Sequence, residues 1–212
     1  MSPRILLEEQ NLSEMQKDIL IGYLLSDGCL YPLPNSPKAS LKVEHSLKQK
    51  EFVSWLFGVF GFFTKTPPKE KHYICSNVKG VFPKDSIYFN TLSFNFFYIF
   101  YKMFYRNKKK IVPLNIENLL TPLSLTVWFM GDGSVKSKEC NGRILNTQGF
   151  TETEVKKLSQ ILNRKFSLKT SIRRQKDGIQ IYISAKSAGV LTKLISPHLL
   201  PYFMYKLPKL KS

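Results

Sequence analysis

Two carboxylates stand out because each closes an apolar stretch. Ile19-Leu20-Ile21-Gly22-Tyr23-Leu24-Leu25-Ser26-Asp27-Gly28 and Leu125-Thr126-Val127-Trp128-Phe129-Met130-Gly131-Asp132-Gly133 both end in Asp-Gly, about half the length of the 212-residue chain apart. One such dipeptide alone reads as a helix C-terminal feature before glycine. Repeated once per half, it suggests a gene-fused dimer with a paired acidic site at an internal two-fold axis. Two aspartates that close together repel strongly, which is a reason to expect a cation between them. Each half also ends on a lysine shortly before a proline, in Lys108-Lys109-Lys110-Ile111-Val112-Pro113 and Tyr205-Lys206-Leu207-Pro208. A lysine of this kind is by default a solvated cation; a matching one in each half, alongside a matching acid, is a constellation.

The elements that must position these groups can be read twice along the chain. Ser13-Glu14-Met15-Gln16 has the form of a capping box before the first apolar helix, and Thr121-Pro122 gives the second an N-cap followed by proline. Both helices should stop at Asp-Gly. Leu41-Lys42-Val43-Glu44-His45 alternates as a half-buried strand does, and Arg143-Ile144-Leu145-Asn146-Thr147 holds the matching place. A further helix start follows each, at Ser46-Leu47-Lys48-Gln49 and at Thr151-Glu152-Thr153-Glu154, with apolar faces through Phe52, Val53, Leu56 and Phe60 and through Val155, Leu158, Ile161 and Leu162. These apolar residues read as core. Lys176-Asp177-Gly178 marks a hairpin turn within Thr170 to Ser184, and its alternation leaves Arg173, Gln175, Gln180 and Tyr182 on polar faces. Each half closes with a helix, around Ser93 to Arg106 and Ser187 to Ile195. The outcome is an α+β fold of two αββαββα halves, 1–113 and 121–212, joined by a linker at 114–120, the first half carrying a longer middle segment from Thr64 to Asn90.

Composition points to a polyanionic partner. The formal charge is +17, from 32 Lys and Arg against 15 Asp and Glu spread along the whole chain, and 43% hydrophobic with 13% aromatic residues is enough to fill a core. Three cysteines, Cys29, Cys75 and Cys140, lie far apart without a C-x-x-C pair, which argues against a zinc site or a disulfide framework. Phe94 to Tyr105, broken by Asn95 and Lys102, is too short to span a bilayer. Glu8 and Glu9 fit neither a secretory signal nor a transit peptide. The expectation is a reduced, intracellular protein without a membrane partner, made where it works.

The paired motifs resemble those of the LAGLIDADG homing endonucleases, in the single-chain, two-motif form of the intron-encoded omega-type branch. The last acid and glycine of that signature fall on Asp27-Gly28 and Asp132-Gly133. Thr121-Pro122-Leu123-Ser124 leading to Trp128-Phe129-Met130, Leu145-Asn146-Thr147-Gln148-Gly149-Phe150 and Met204-Tyr205-Lys206-Leu207-Pro208 also look like segments of that branch, so the likeness covers nearly the whole chain. It departs in two places. The signature's earlier acid is replaced by Leu25 and Met130, at the helix interface. Its small residues are kept as Gly22 and Ser26 but become Thr126 and Val127 in the second helix, which predicts looser helix packing than in symmetric relatives.

The resemblance implies a fold with paired central helices, pseudo-two-fold related, and two antiparallel DNA-binding sheets. It implies that Asp27 and Asp132 hold divalent metal between two scissile phosphates, with Lys110 and Lys206 near the attacking water or the phosphate. Oxygen ligands suit Mg²⁺, and the backbone carbonyls of Ser26 and Gly131 are candidates to complete the set. Mn²⁺ is expected to substitute, and Ca²⁺ to support binding without cleavage. Gln148 is expected to hold a water near the metal site. For the sheets, Arg173, Arg174 and Lys176 are expected at guanine edges or phosphates and Gln175 and Gln180 at adenine, with Tyr182 on the same polar surface. The first half contributes Lys69, Lys71, His72 and Tyr73. The implied activity is that of a monomeric, Mg²⁺-dependent endonuclease that cuts both strands of a long, asymmetric double-stranded DNA target and leaves 3′ overhangs, encoded in a mitochondrion or plastid. Two alternatives use the same basic surface: an RNA maturase acting on its host intron RNA, and a DNA-binding regulator without catalysis.

Overall fold

A computed structural model describes residues 11–77, 80–137 and 140–208, so Glu8 and Glu9 lie outside the described residues. The side chain of Cys75 does too, while Cys29 and Cys140 are thiols. Helix α1 spans Glu14–Leu25 and starts at the expected capping box: Ser13 Oγ accepts from the Gln16 amide at 3.2 Å, and Gln16 Oε1 accepts from the Ser13 amide at 3.0 Å. Strands β1 (Cys29–Pro32) and β2 (Ala39–Ser46), helix α2 (Lys50–Phe60), strands β3 (Lys69–Asn77) and β4 (Gly80–Asn90) and helix α3 (Asn95–Phe104) complete the first half. A short hairpin, β5 (Tyr105–Arg106) and β6 (Lys109–Lys110), and a one-turn helix α4 (Ile116–Leu119) within the linker lead to α5 (Pro122–Asp132). Then come β7 (Gly133–Ser137), β8 (Cys140–Asn146), α6 (Glu152–Phe166), β9 (Thr170–Gln175), β10 (Gly178–Ile183) and α7 (Ala188–Ile195), and a 3₁₀ segment Pro201–Lys206.

The two halves therefore share one order of elements, αββαββα, and one sheet topology. Their four-stranded sheets run β1-β2-β4-β3 and β7-β8-β10-β9, antiparallel throughout. The expected extra length of the first half sits in its second hairpin, where β3 and β4 are 9 and 11 residues against 6 and 6 for β9 and β10. In each half a helix lies on one sheet face. Phe52, Val53, Leu56 and Phe60 of α2 are buried with Leu41, Val43, Ile87 and Phe89, and Val155, Leu158, Ile161 and Leu162 of α6 with Leu145, Ile181 and Ile183. Both faces follow from strand alternation meeting a helical stripe.

One expected cap did not form. Thr151 and Glu154 make the reciprocal capping box of α6, but Ser46 makes no side-chain cap bond, and Leu47–Gln49 is a 3₁₀ turn ahead of α2. The cause is local competition: Gln49 Oε1, which would have closed the box, lies 3.0 Å from His45 Nδ1.

The chain divides into two compact units, and the division does not fall at the linker. One unit takes the residues up to Gln16 with Gly28–Lys102; the other takes Lys17–Asp27 with everything from Met103 onward. The body of α1 thus belongs with α5, so Asp27, Asp132, Lys110 and Lys206 lie in one unit.

Candidate active site

The site is built on the packing of α1 against α5. Residues 19–25 of α1 and 124–130 of α5 are buried throughout, as befits helix segments at the centre of a core. They run in the same direction in matched register. At their starts Thr121 Oγ1 donates to Asp18 Oδ2 at 2.8 Å, and the same Thr121 hydroxyl caps α5 by accepting from the Ser124 amide. One turn on, a Cβ on Gly22 would come within 2.2 Å of the Ser124 carbonyl oxygen and 2.8 Å of Val127 Cβ. At their ends a Cβ on Gly131 would meet Ser26 Cβ and Oγ, both at 2.6 Å, and Asp27 Oδ2 at 3.2 Å. The helices therefore touch backbone to backbone, and the looser packing predicted from Thr126 and Val127 is corrected. The small partners of Gly22 and Ser26 are Ser124 and Gly131, offset from the positions that sequence alone suggested.

This contact brings the two helix ends together. Each lysine then binds the helix end of its own half. Lys110 Nζ donates to the Ser26 carbonyl at 2.9 Å, and Lys206 Nζ donates to Met130 and Gly131 carbonyls at 2.6 and 3.4 Å. Those carbonyls are the acceptors left over at a helix C-terminus, where a cation is also favoured by the helix dipole. Burial, and next the Asp27 charge, raise the pKa of Asp132 to about 7, against the pull of Lys110 and Lys206. The buried Trp128 indole N–H, one turn earlier, makes no hydrogen bond of normal geometry and pulls in the same lowering direction, least of all. Burial lowers Lys206 to about 8, while Asp132 and Asp27 act to raise it.

These residues fit a divalent cation. A carboxyl that burial and a like charge keep from ionising is one that a 2+ ion would hold ionised. Among the described residues no group of three or more His, Cys, Asp and Glu side chains gathers, so a cation between Asp27 and Asp132 would find two carboxylates. That suits an ion which takes few protein ligands and keeps water and phosphate for the rest.

The carbonyls of Ser26 and Gly131 each accept from a lysine, which leaves each oxygen a second lone pair for a cation. Gln148 turns toward the β9–β10 turn, donating to Asp177 Oδ2 at 3.4 Å. The amide that does reach the helix end is Asn146, two residues earlier, whose Nδ2 donates to the Asp132 carbonyl at 2.8 Å while its Oδ1 accepts from Gln180 Nε2 at 2.8 Å. Strand period picks it out: Asn146 is the last residue of β8 on the polar face, whereas Gln148 is already past the strand.

The same period sorts the expected DNA contacts. Cross-strand partners share a face, so Arg173, Gln175, Gln180, Tyr182 and Asn146 lie together, with Lys176 exposed in the turn. Arg174 lies on the other face and pairs with Glu152 of α6 at 2.5 Å. In the first sheet Lys42, Lys69, Lys71, Tyr73 and Lys84 share the polar face, where Lys71 Nζ sits 4.8 Å from the Tyr73 ring centre. His72 lies on the opposite face, 2.8 Å from Asp85. Arg174 and His72 are thus corrected: each was grouped with its neighbours in sequence, and alternation turns it away.

A profile of the LAGLIDADG DNA endonuclease family matches residues 17–191. The chain belongs to that family. It is 31% identical over 206 residues to a probable intron-encoded endonuclease of Wickerhamomyces canadensis, covering 92% of this chain and 85% of that one. It is 32% identical over 158 residues to the cytochrome b mRNA maturase bI2 of Debaryomyces hansenii, covering 74% of this chain and 58% of the relative's length. Among solved structures, the homing endonuclease I-WcaI bound to its DNA recognition sequence matches with a TM-score of 0.88 and 29% identity over 99% of this chain and 94% of that one. The LAGLIDADG fold with duplicated halves accounts for the repeated element order and for the paired Asp-Gly helices. Among the described residues no helix is long and apolar enough to cross a membrane.

Proposed function

We propose that this LAGLIDADG protein is a site-specific homing endonuclease that makes a metal-dependent double-strand break in a long, asymmetric DNA target and leaves 3′ overhangs. The observation that carries this is the meeting of Asp27 and Asp132 at the ends of two parallel helices, each with a lysine bonded to its own helix end. Asp27 and Asp132 hold the cation, Mg²⁺ in use with Mn²⁺ able to replace it. When bound, it neutralises charge building on phosphate oxygens and acidifies water, the two needs of phosphodiester hydrolysis. Lys110 and Lys206 hold ammonium groups beside the carboxylates, where they orient water and stabilise phosphate charge. Asn146 fixes the Asp132 main chain. The polar sheet faces carry Lys69, Lys71 and Tyr73, and Arg173, Gln175, Gln180 and Tyr182, toward DNA, with Lys176 on phosphate. The protein works as a monomer. Relatives named for introns and for cytochrome b mRNA support an intron-borne, organellar source.

The test begins with a duplex enriched from a randomised library by binding in Ca²⁺. Binding in both ions with cutting only in Mg²⁺ is the expected result; binding without cutting in either Mg²⁺ or Mn²⁺ contradicts it. The Debaryomyces relative favours one second function, an RNA maturase. Intron RNA bound in preference to every selected duplex, with no cleavage, would put that function first.

A further inference from the structure

Arg143 is a charged side chain placed where charge is costly. It sits in the middle of β8 on the core face, is 3% exposed, and shares that face with Leu145 and Ile183. Its hydrogen bonds all run to backbone carbonyls. Nε donates to the Lys206 carbonyl at 2.5 Å, Nη2 to the Leu207 carbonyl, and Nη1 to Gly142 at 2.9 Å and to Cys140 at 3.3 Å. A buried guanidinium is tolerable only when its donors are satisfied, and the rigid fork of arginine suits two adjacent acceptors.

The acceptors on its far side are informative. The segment Pro201–Lys206 is 3₁₀ and belongs to neither sheet, so its last carbonyls have no ladder to join. Arg143 supplies their donors, bridging β8 to the main chain of Lys206 and of the residue after it. That side chain runs from this anchor past the Phe203 ring, 4.9 Å from its centre, to the Met130 carbonyl beside Asp132. The corresponding position of β2, by strand register, is Leu41, fully buried and apolar. The first half delivers Lys110 by other means and has no call for an arginine there.

We propose that Arg143 is a positioning residue for Lys206: its guanidinium clamps the Lys206 and Leu207 carbonyls and so holds the Lys206 ammonium at the end of α5. This rests on Lys206 serving cleavage, as set out above. Misplacing a site group by about an ångström costs up to about 100-fold in rate. Arg143→Lys keeps the charge and loses the fork.

The experiment compares wild type, Arg143→Lys, Lys206→Met and the double variant on a supercoiled plasmid carrying the selected duplex. Arg143→Lys should cut about 10- to 100-fold more slowly, bind the duplex in Ca²⁺ as wild type does, and accumulate nicked circle as Lys206→Met does. Adding it to Lys206→Met should cause no further loss, which a general weakening of the fold would not reproduce. Arg143→Gln, with one amide donor left for the clamp, serves the same comparison where the lysine variant does not fold. Unchanged cleavage by Arg143→Lys, or a further loss on top of Lys206→Met, overturns the proposal while leaving the role of Lys206 intact. Full activity of Lys206→Met overturns that role and the proposal with it.

Discussion

Lys110 and Lys206 end in equivalent places by unlike routes. Lys110 stands on a tight hairpin: β5 and β6 pair Tyr105 with Lys110, the turn residues Asn107 and Lys108 both have positive φ, and the Ile111 amide bonds the Phe104 carbonyl at 2.7 Å. Lys206 stands at the end of a 3₁₀ segment with no strand partner, tied down by a side chain from β8. Local backbone geometry holds the first; one buried guanidinium holds the second. In the proposed mechanism the endpoints, a carboxylate and an ammonium per half, match while the supports around them differ.

If the endpoints are equivalent, removing either acid should be equally damaging. Asp27→Asn and Asp132→Asn should each lower cleavage by about 1000-fold or more in Mg²⁺ while sparing binding in Ca²⁺; a large effect from one and none from the other breaks the equivalence. Lys110→Met and Lys206→Met should each slow cutting by about 100-fold, read as nicked plasmid accumulating before linear product. A tenfold gap between the two would show that the unlike supports have made unlike sites.

A smaller effect concerns stability without metal. Folding raises the pKa of Asp132 from 3.8 to about 7. The unfolded chain therefore ionises this group first as pH rises, the folded state then binds more protons, and stability falls between those two values. Asp132→Asn should remove that slope, gaining about 4 kcal/mol near neutral pH relative to wild type. Urea unfolding in EDTA at acid and neutral pH measures it, and a variant that is no more stable at neutral pH removes the burial argument. The smallest effect separates the two faces of the second sheet. Arg173→Ala should weaken duplex binding by about 1 kcal/mol, and Arg174→Ala by less, since its partner is Glu152.

The repeat, the order of elements and the two Asp-Gly helix ends were legible in the chain because each rests on local chemistry: a cap at Ser13 or Thr121, an apolar run, an Asp-Gly stop. The partner of Gly22 was not, because Ser124 becomes its neighbour only through the register of two helices separated by a long stretch of chain. Arg174 and His72 were misplaced for a simpler reason, that a run of basic residues on a strand splits between two faces. Asn146 could have been found by that same period. Arg143 could not: it reads as an ordinary strand residue until the carbonyls of Lys206 and Leu207 are seen across the fold.

In the proposed mechanism Asp27 and Asp132 share one cation site. Anomalous scattering from Mn²⁺ in crystals of the protein with its selected duplex tests it most directly. A peak at bonding distance from a carboxylate oxygen of both residues and from a phosphate oxygen is the result expected here. Peaks coordinated by neither residue, or by one alone with the other turned away, would contradict it.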